Sequence, residues 1–190
     1  MDNIVKDIVS SEDEPLILVD SEDRDIGSLS KSACHDGNGF LHRAFSIFLF
    51  DSDGCLLLQQ RSDLKRLWPM YWSNSICSHP RFGETIQVAT KRRLIEELGV
   101  ETDLRYVYKF EYRASFGLKG SENELCYVFL GKLTEKPTVN VTEIAQIRYL
   151  SFEELNNELQ ERPKSFTPWF IQEWNHLREK YPLILTKYMS

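Results

Sequence analysis

One helix, reading roughly from Glu84 to Leu98, stands between two groups of strand-like segments, and that order constrains the fold more than any other feature of the chain. Gly99 stops it, because a glycine accepts the left-handed backbone that closes a helix. Ahead of the helix, Leu16 to Val19, Ala44 to Phe50 and Cys55 to Gln60 read as strands, the last two joined by the hairpin turn Asp51-Ser52-Asp53-Gly54. Behind it, Tyr106 to Tyr112, Glu124 to Leu130 and Ile147 to Leu150 read the same way. Ser151 and Glu154 form a capping box for a helix over 152–160, and Thr167-Pro168 opens a last helix. Strands, a central helix, more strands and then helices predict one α/β domain, an α+β mixed sheet flanked by helices. Two stretches read as loops: Lys31 to His42, which holds Gly37, Asn38 and Gly39, and the aromatic run Leu67 to Ser75. The polar, acidic residues 1–14 read as a flexible N-terminal arm, leaving 15–190 as the domain.

Charge and composition narrow the function. The 190 residues carry a formal net charge of -6, which disfavours non-specific binding to nucleic acid. A phosphate ligand would therefore need a local basic pocket or a metal. The apolar run Ile47 to Phe50 is far too short to cross a bilayer, and the polar opening does not read as a secretion signal. The expectation is a cytoplasmic monomer acting on a small molecule, with neither nucleic acid nor membrane as partner. Cys34, Cys55, Cys77 and Cys126 are widely spaced and read as free thiols.

The residues with chemical potential fall at telling intervals. Pro80 pushes His79 toward extended backbone, so Cys77 and His79 point the same way. Glu122 and Glu124 repeat that spacing. His35 and His42 are seven apart, poor for one strand or one helix face, but the glycines between them let the rings meet. Three imidazoles and two carboxylates make an N/O donor set suited to Mn, Mg or Zn. On the helix, Arg93 and Glu97 share one face and Arg92 and Glu96 the next. Taken singly, each signal has an ordinary structural meaning: a buried cysteine, a solvated Glu-x-Glu face, surface ion pairs. Their combination is what carries specificity.

That combination resembles the type I isopentenyl-diphosphate isomerases, a branch of the Nudix superfamily. The resemblance rests on Asn74-Ser75-Ile76-Cys77-Ser78-His79-Pro80, on Glu122-Asn123-Glu124 before an apolar strand, on the pair His35 and His42, and on Trp68-Pro69 with Trp72. It spans roughly residues 16 to 175 and implies a Nudix-like fold. It further implies that His35, His42, His79, Glu122 and Glu124 bind a divalent metal. Cys77 and Glu124 would be the acid–base pair, with Tyr112 assisting. Trp169 would face the hydrocarbon end of the substrate. Lys31, Arg61, Lys65 and Arg93 would contact its diphosphate, and Glu97 would help hold the Mg²⁺ that accompanies that diphosphate.

The hydrolytic Nudix pattern is only partly kept. Ser78 stands where the pattern opens on glycine, and Arg93 stands where it has a glutamate, while Glu84, Arg92, Glu96, Glu97, Gly99 and Val100 fit. A cation at that position suits binding a phosphate better than coordinating metals to cleave one. The alternatives are a Nudix pyrophosphohydrolase and a zinc-stabilised binding module without catalysis, which chelation would unfold.

Overall fold

The computed structural model describes residues 5–189. Among them, nine strands form one mixed sheet. Strand β1 (Pro15–Val19) and β2 (Asp25–Ser30) make an N-terminal hairpin, followed by a one-turn helix α1 (Lys31–His35). Next come β3 (His42–Phe50), β4 (Leu56–Arg61) and two short strands, β5 (Trp72–Ser73) and β6 (Ile76–Ser78). The central helix α2 is Ile86–Leu98. After it run β7 (Leu104–Ser115), β8 (Ser121–Lys132) and β9 (Ile144–Leu150), then helices α3 (Phe152–Glu161), α4 (Pro168–Lys180) and α5 (Pro182–Thr186).

Strand β3 organises the sheet. It runs parallel to β8 in register from His42↔Glu124 to Phe50↔Lys132 and antiparallel to β6 through Ser46↔Cys77. It is buried on both sides, which is why its sequence is nearly continuous in apolar residues rather than alternating. Ala44, Phe48 and Phe50 pack toward Trp169, Phe170, Trp174 and Leu177 of α4. Phe45, Ile47 and Leu49 pack toward Ala89, Leu94 and Leu98 of α2. The result is a sheet between helices, with one core on each face.

The helix ends are set by local chemistry. Thr85 caps α2 by accepting from the Val88 amide, and Gly99 closes it at φ 64°, its amide reaching the Leu94 and Ile95 carbonyls. Helix α3 carries both bonds of the Ser151–Glu154 capping box. The expected strands and helices are present, and all four cysteines are free. Four short elements depart from the sequence reading. Strand β2 follows β1 where the sequence shows no strand pattern, the loop reading fails at Lys31–His35, which is α1, the aromatic loop is interrupted by β5, and α5 follows the helix read as the last. The two short strands are held by their neighbours: β2 pairs along β1, and β5 pairs with β4 at Gln59↔Ser73 and Gln60↔Trp72. Tertiary pairing wins there over weak local preference. Of the residues read as an arm, 1–4 lie outside the described residues. The Val5 carbonyl accepts from the Val141 amide, the Asp7 carbonyl from Asn140 and Thr142, and the Val9 carbonyl from Arg81 and Arg93.

Candidate active site

Sheet register brings the histidines and glutamates together. His42 opens β3 directly beside Glu124 of β8, and Glu122 lies two residues away on the same face. Tyr112 pairs with Glu124 from the other side, on β7. Cys77 on β6 lies against Ser46, which shares its β3 face with His42, and His79 follows two residues later. His35 ends α1 rather than lying in a loop. The six residues between it and β3 turn on Gly39, at φ 73°, whose missing side chain leaves room for Asn123 and the Ser121 carbonyl.

One donor atom from each of His35, His42, His79, Glu122 and Glu124 lies within 4.8 Å of every other. The tautomers follow from the backbone. The Nδ1 of His35 lies 2.6 Å from the Lys31 carbonyl, and that of His42 lies 2.7 Å from the Phe40 carbonyl, so Nδ1 carries the proton in both. Each bare Nε2 then faces a carboxylate: His35 is 2.8 Å from Glu122, and His42 is 3.7 Å from Glu124. The His42 Nε2 is fully buried with no hydrogen-bond partner. Acceptor facing acceptor in a buried place is satisfied only by a cation between them, a proton or a metal. The donor set and this orphaned nitrogen fit a divalent metal.

The titration directions agree. Burial opposes charge on His35, but the Glu122 carboxylate outweighs it and raises the imidazole to about 9. Burial, reinforced by the neighbouring His42 and His35, drives His79 well down. Burial would raise Glu124, but the neighbouring His42 and the Tyr112 hydroxyl bring it below the usual value. The Tyr112 hydroxyl donates to Glu124 Oε2 at 2.6 Å, while His79 Nε2 lies 2.8 Å from Oε1. Glu124 therefore belongs both to the His/Glu cluster and to the wall of the adjoining cavity.

That cavity, of about 260 Å³, is lined by Cys77, His79, Tyr112, Glu122, Glu124 and Trp169 at one end and by Lys31, Lys65, Arg93 and Glu143 at the other, with Arg61 beside Cys77 and Trp169. Burial pushes the Cys77 thiol up to about 11 against the pull of Arg61, whose Nη1 lies 3.4 Å from Sγ. The remaining Arg61 donors reach the Leu67 and Trp68 carbonyls, and its guanidinium sits 5.2 Å from the Trp169 ring centre. Trp169 also meets Trp68 edge-on and leans on Tyr112. Lys31 Nζ bonds the Ser10 hydroxyl, and Lys65 bonds Glu143. Arg93 and Glu97 are buried together, as their helical phase predicts, while Arg92 and Glu96 are only half-buried. Glu96 is nonetheless close enough to bond Arg93 at 3.2 Å.

Of the site residues expected from the sequence, all but His42 and Glu97 line one cavity; His42 belongs to the adjoining His/Glu cluster, and Glu97 bonds Arg93. Glu143 was missed. It lies alone in a loop before β9, belongs to no spaced pair, and no periodicity marks it.

Comparison with known proteins bears on this geometry. A model of the NUDIX domain matches residues 40–170. The chain is 43% identical over 159 residues to the isopentenyl-diphosphate Delta-isomerase of Serratia proteamaculans, covering 84% of this chain and 88% of that protein. It is 37% identical over 170 residues to isopentenyl-diphosphate Delta-isomerase 1 of Photorhabdus laumondii, covering 88% and 97%. Among solved structures, a Deinococcus radiodurans protein superposes with a TM-score of 0.64 at 24% identity, over 78% of this chain and 90% of that one. The MutT protein of Methanosarcina mazei superposes at 0.58 and 15%, over 74% and 96%. These two likenesses speak for the fold alone.

Proposed function

We infer the roles of these residues from one premise: the chain belongs to the isopentenyl-diphosphate Delta-isomerase family, built on a NUDIX domain. It is an isomerase of isoprenoid biosynthesis, interconverting isopentenyl and dimethylallyl diphosphate. In our reading His35, His42, His79, Glu122 and Glu124 hold a divalent metal, Mn, Mg or Zn. When bound, that ion supplies a fixed positive charge that favours the ionised carboxylate and so makes a protonated Glu124 a stronger acid.

The reaction must protonate a weakly basic alkene at one carbon and remove a proton from another, through a tertiary cation. Two groups must serve it. Cys77 and Glu124 come from separate strands and line the same cavity. The Tyr112 hydroxyl holds Glu124 in place. Trp169 presents aromatic surface to the hydrocarbon, where a desolvated cation gains about 2 kcal/mol or more. Trp68 and Trp169, both buried, help exclude the water that would trap the cation as an alcohol. Lys31, Arg61, Lys65 and Arg93 receive the diphosphate, and Glu97 the Mg²⁺ that travels with it. The carrying observation is that one side chain, Glu124, joins the metal cluster to the wall of the Cys77 cavity. Arg93, tied to Glu97 inside the domain, supports isomerisation over hydrolysis. The same reading has the enzyme working as a cytoplasmic monomer without nucleic acid or membrane partners; the charge of -6 supports the first exclusion.

The test compares Cys77→Ala and Glu124→Gln with the unaltered enzyme. Given isopentenyl diphosphate and Mg²⁺, the unaltered enzyme should form the dimethylallyl isomer. Both variants should fold and lose several orders of magnitude in kcat, and only Glu124→Gln should also lose metal. Near-normal turnover by Cys77→Ala would refute the assignment.

A further inference from the structure

The basic end of the cavity is already paired. Arg93 has five N–H donors, and four of them make hydrogen bonds within the chain. Nε and Nη2 reach Glu97 Oε1 at 2.9 and 2.7 Å, and Nη2 also reaches Glu143 Oε2 at 2.8 Å. Nη1 reaches the Val9 carbonyl at 2.8 Å and Glu96 at 3.2 Å. The guanidinium is therefore clamped along its Nε–Nη2 edge by two buried carboxylates. Its Nη1 end rests on a neutral carbonyl and a half-buried glutamate, the two partners that cost least to exchange.

Glu143 does more than hold Arg93. The same Oε2 atom also accepts from Lys65 Nζ, so one oxygen bridges two cations that would otherwise repel each other. Burial would raise the Glu143 carboxyl, but Lys65 and Arg93 outweigh it and hold it at about 2. The backbone around it is fixed independently. The Ser62 amide donates to the Glu143 carbonyl, the Lys65 amide to the Ser62 carbonyl, and the Asn140 amide to the Glu97 carbonyl. The loop thus ties the turn carrying Lys65 to the end of the helix carrying Arg93.

We propose that Glu143 is a positioning residue for the diphosphate, holding Lys65 and Arg93 side by side so that the ligand meets two ordered cations. It does not itself touch substrate. Its carboxylate engages one of the three Lys65 donors, which leaves the others for phosphate oxygens. Without it, Lys65 regains the freedom of a long, flexible side chain, and that freedom must be given up again on binding. The cost falls on diphosphate affinity, while Cys77 and Glu124, neither of which is bonded to Glu143, keep their chemistry.

This inference rests on the reading of Lys65 and Arg93 as diphosphate contacts, and a double-variant cycle separates the two claims. The variants are Glu143→Gln, Lys65→Met, both together, and Glu143→Asp. The readouts are KM and kcat for isopentenyl diphosphate at saturating Mg²⁺, with inorganic pyrophosphate binding by calorimetry. Glu143→Gln should raise KM about tenfold while kcat stays within about threefold. Glu143→Asp, which keeps the charge, should recover part of that loss. In the Lys65→Met background, adding Glu143→Gln should raise KM by much less than it does alone, because much of what it positions is gone. If Glu143→Gln fails to fold, Glu143→Asp carries the same cycle with a smaller rise. Fully multiplicative effects, or a fall in kcat at constant KM, would overturn the role of Glu143 alone. An unchanged KM in Lys65→Met would overturn the reading of the basic end, and this inference with it.

Discussion

The two ends of the cavity hold their charges in opposite ways. At the histidine end, the Nε2 atoms of His35 and His42 face carboxylate oxygens, and one of them has no partner at all. At the basic end, Arg93 makes four hydrogen bonds within the chain and Lys65 is already bonded to Glu143. The first arrangement lacks a positive charge and gains by adding one. The second is complete and can accept a ligand only by exchanging a partner. The difference tells which end should respond to losing a cation with lost function, and which with lost stability.

The largest effect belongs at the histidine end. His42→Ala removes the orphaned acceptor and leaves Glu124 and Glu122 facing fewer donors. Losing even an outer hydrogen-bond partner of a metal ligand costs roughly 10–100-fold in affinity, so losing a ligand should cost more. Bound metal, measured by elemental analysis after dialysis, should fall sharply, and kcat with it. The pH dependence has a definite sign. His35 is raised to about 9, so below that value it carries a proton that a metal must displace. Apparent metal affinity should fall by up to about tenfold per pH unit as pH drops below 9. Full metal content in His42→Ala, or affinity that rises on acidification, would break the contrast between the two ends.

At the basic end the expected loss is stability. Arg93 is 1% exposed, and Glu97 and Glu143 are 2% and 3% exposed. Arg93→Gln strands the buried Glu97 carboxylate and leaves Glu143 with Lys65 alone, and breaking such a pair costs roughly 3–5 kcal/mol. Arg93→Glu would be worse, with a third carboxylate in the same place, so it should not act on KM alone. Urea midpoints of Arg93→Gln and the unaltered enzyme check this. Equal midpoints would mean that Arg93 is a binding residue free of structural duty.

How far the sequence goes in each region has a physical reason. The histidine end was legible because its residues obey short rules: i,i+2 pairs in Cys77-Ser78-His79 and Glu122-Asn123-Glu124, each set in or beside a strand. The central helix was legible from its glycine cap. The basic end was half legible. Helical phase identifies Arg93 with Glu97, but nothing local connects either to Glu143, which is 46 residues beyond Glu97 and arrives by the fold of the loop before β9. Likewise β2 and β5 lack a pattern of their own, since partner strands rather than their composition hold them extended. The Val9 carbonyl at Arg93 was out of reach altogether, because a main-chain oxygen leaves no mark in the sequence.

Glu173 sharpens the comparison, because it is a buried charge site with neither a metal's place nor a cation beside it. It lies on α4 behind the cavity, fully buried. The Cys126 thiol reaches Oε1 at 3.5 Å, the Ser46 hydroxyl faces it, and Oε2 has no partner. Burial is the main cause that raises its carboxyl to about 8, with the charge of Glu124 adding to it against the Ser46 and Cys126 hydrogen bonds. The folded protein therefore keeps a proton that the unfolded chain gives up near 4.5. Between those two values the folded state binds more protons than the unfolded state, so this group's contribution to stability falls as pH rises and levels off above about 8. Glu173→Gln removes the titration and keeps the shape. The variant should fall about 1–3 kcal/mol below the unaltered enzyme near the unfolded value, because the new amide pairs imperfectly, and exceed it by about 1–2 kcal/mol at alkaline pH. For a chain of this size that is roughly 2–8 °C in Tm. Differential scanning calorimetry across the window measures it, and the stability of the variant relative to the unaltered enzyme should rise with pH. A relative stability that is flat or falls with pH would show that the Glu173 proton is not held by the fold, and that burial alone does not set this third kind of site apart from the two ends of the cavity.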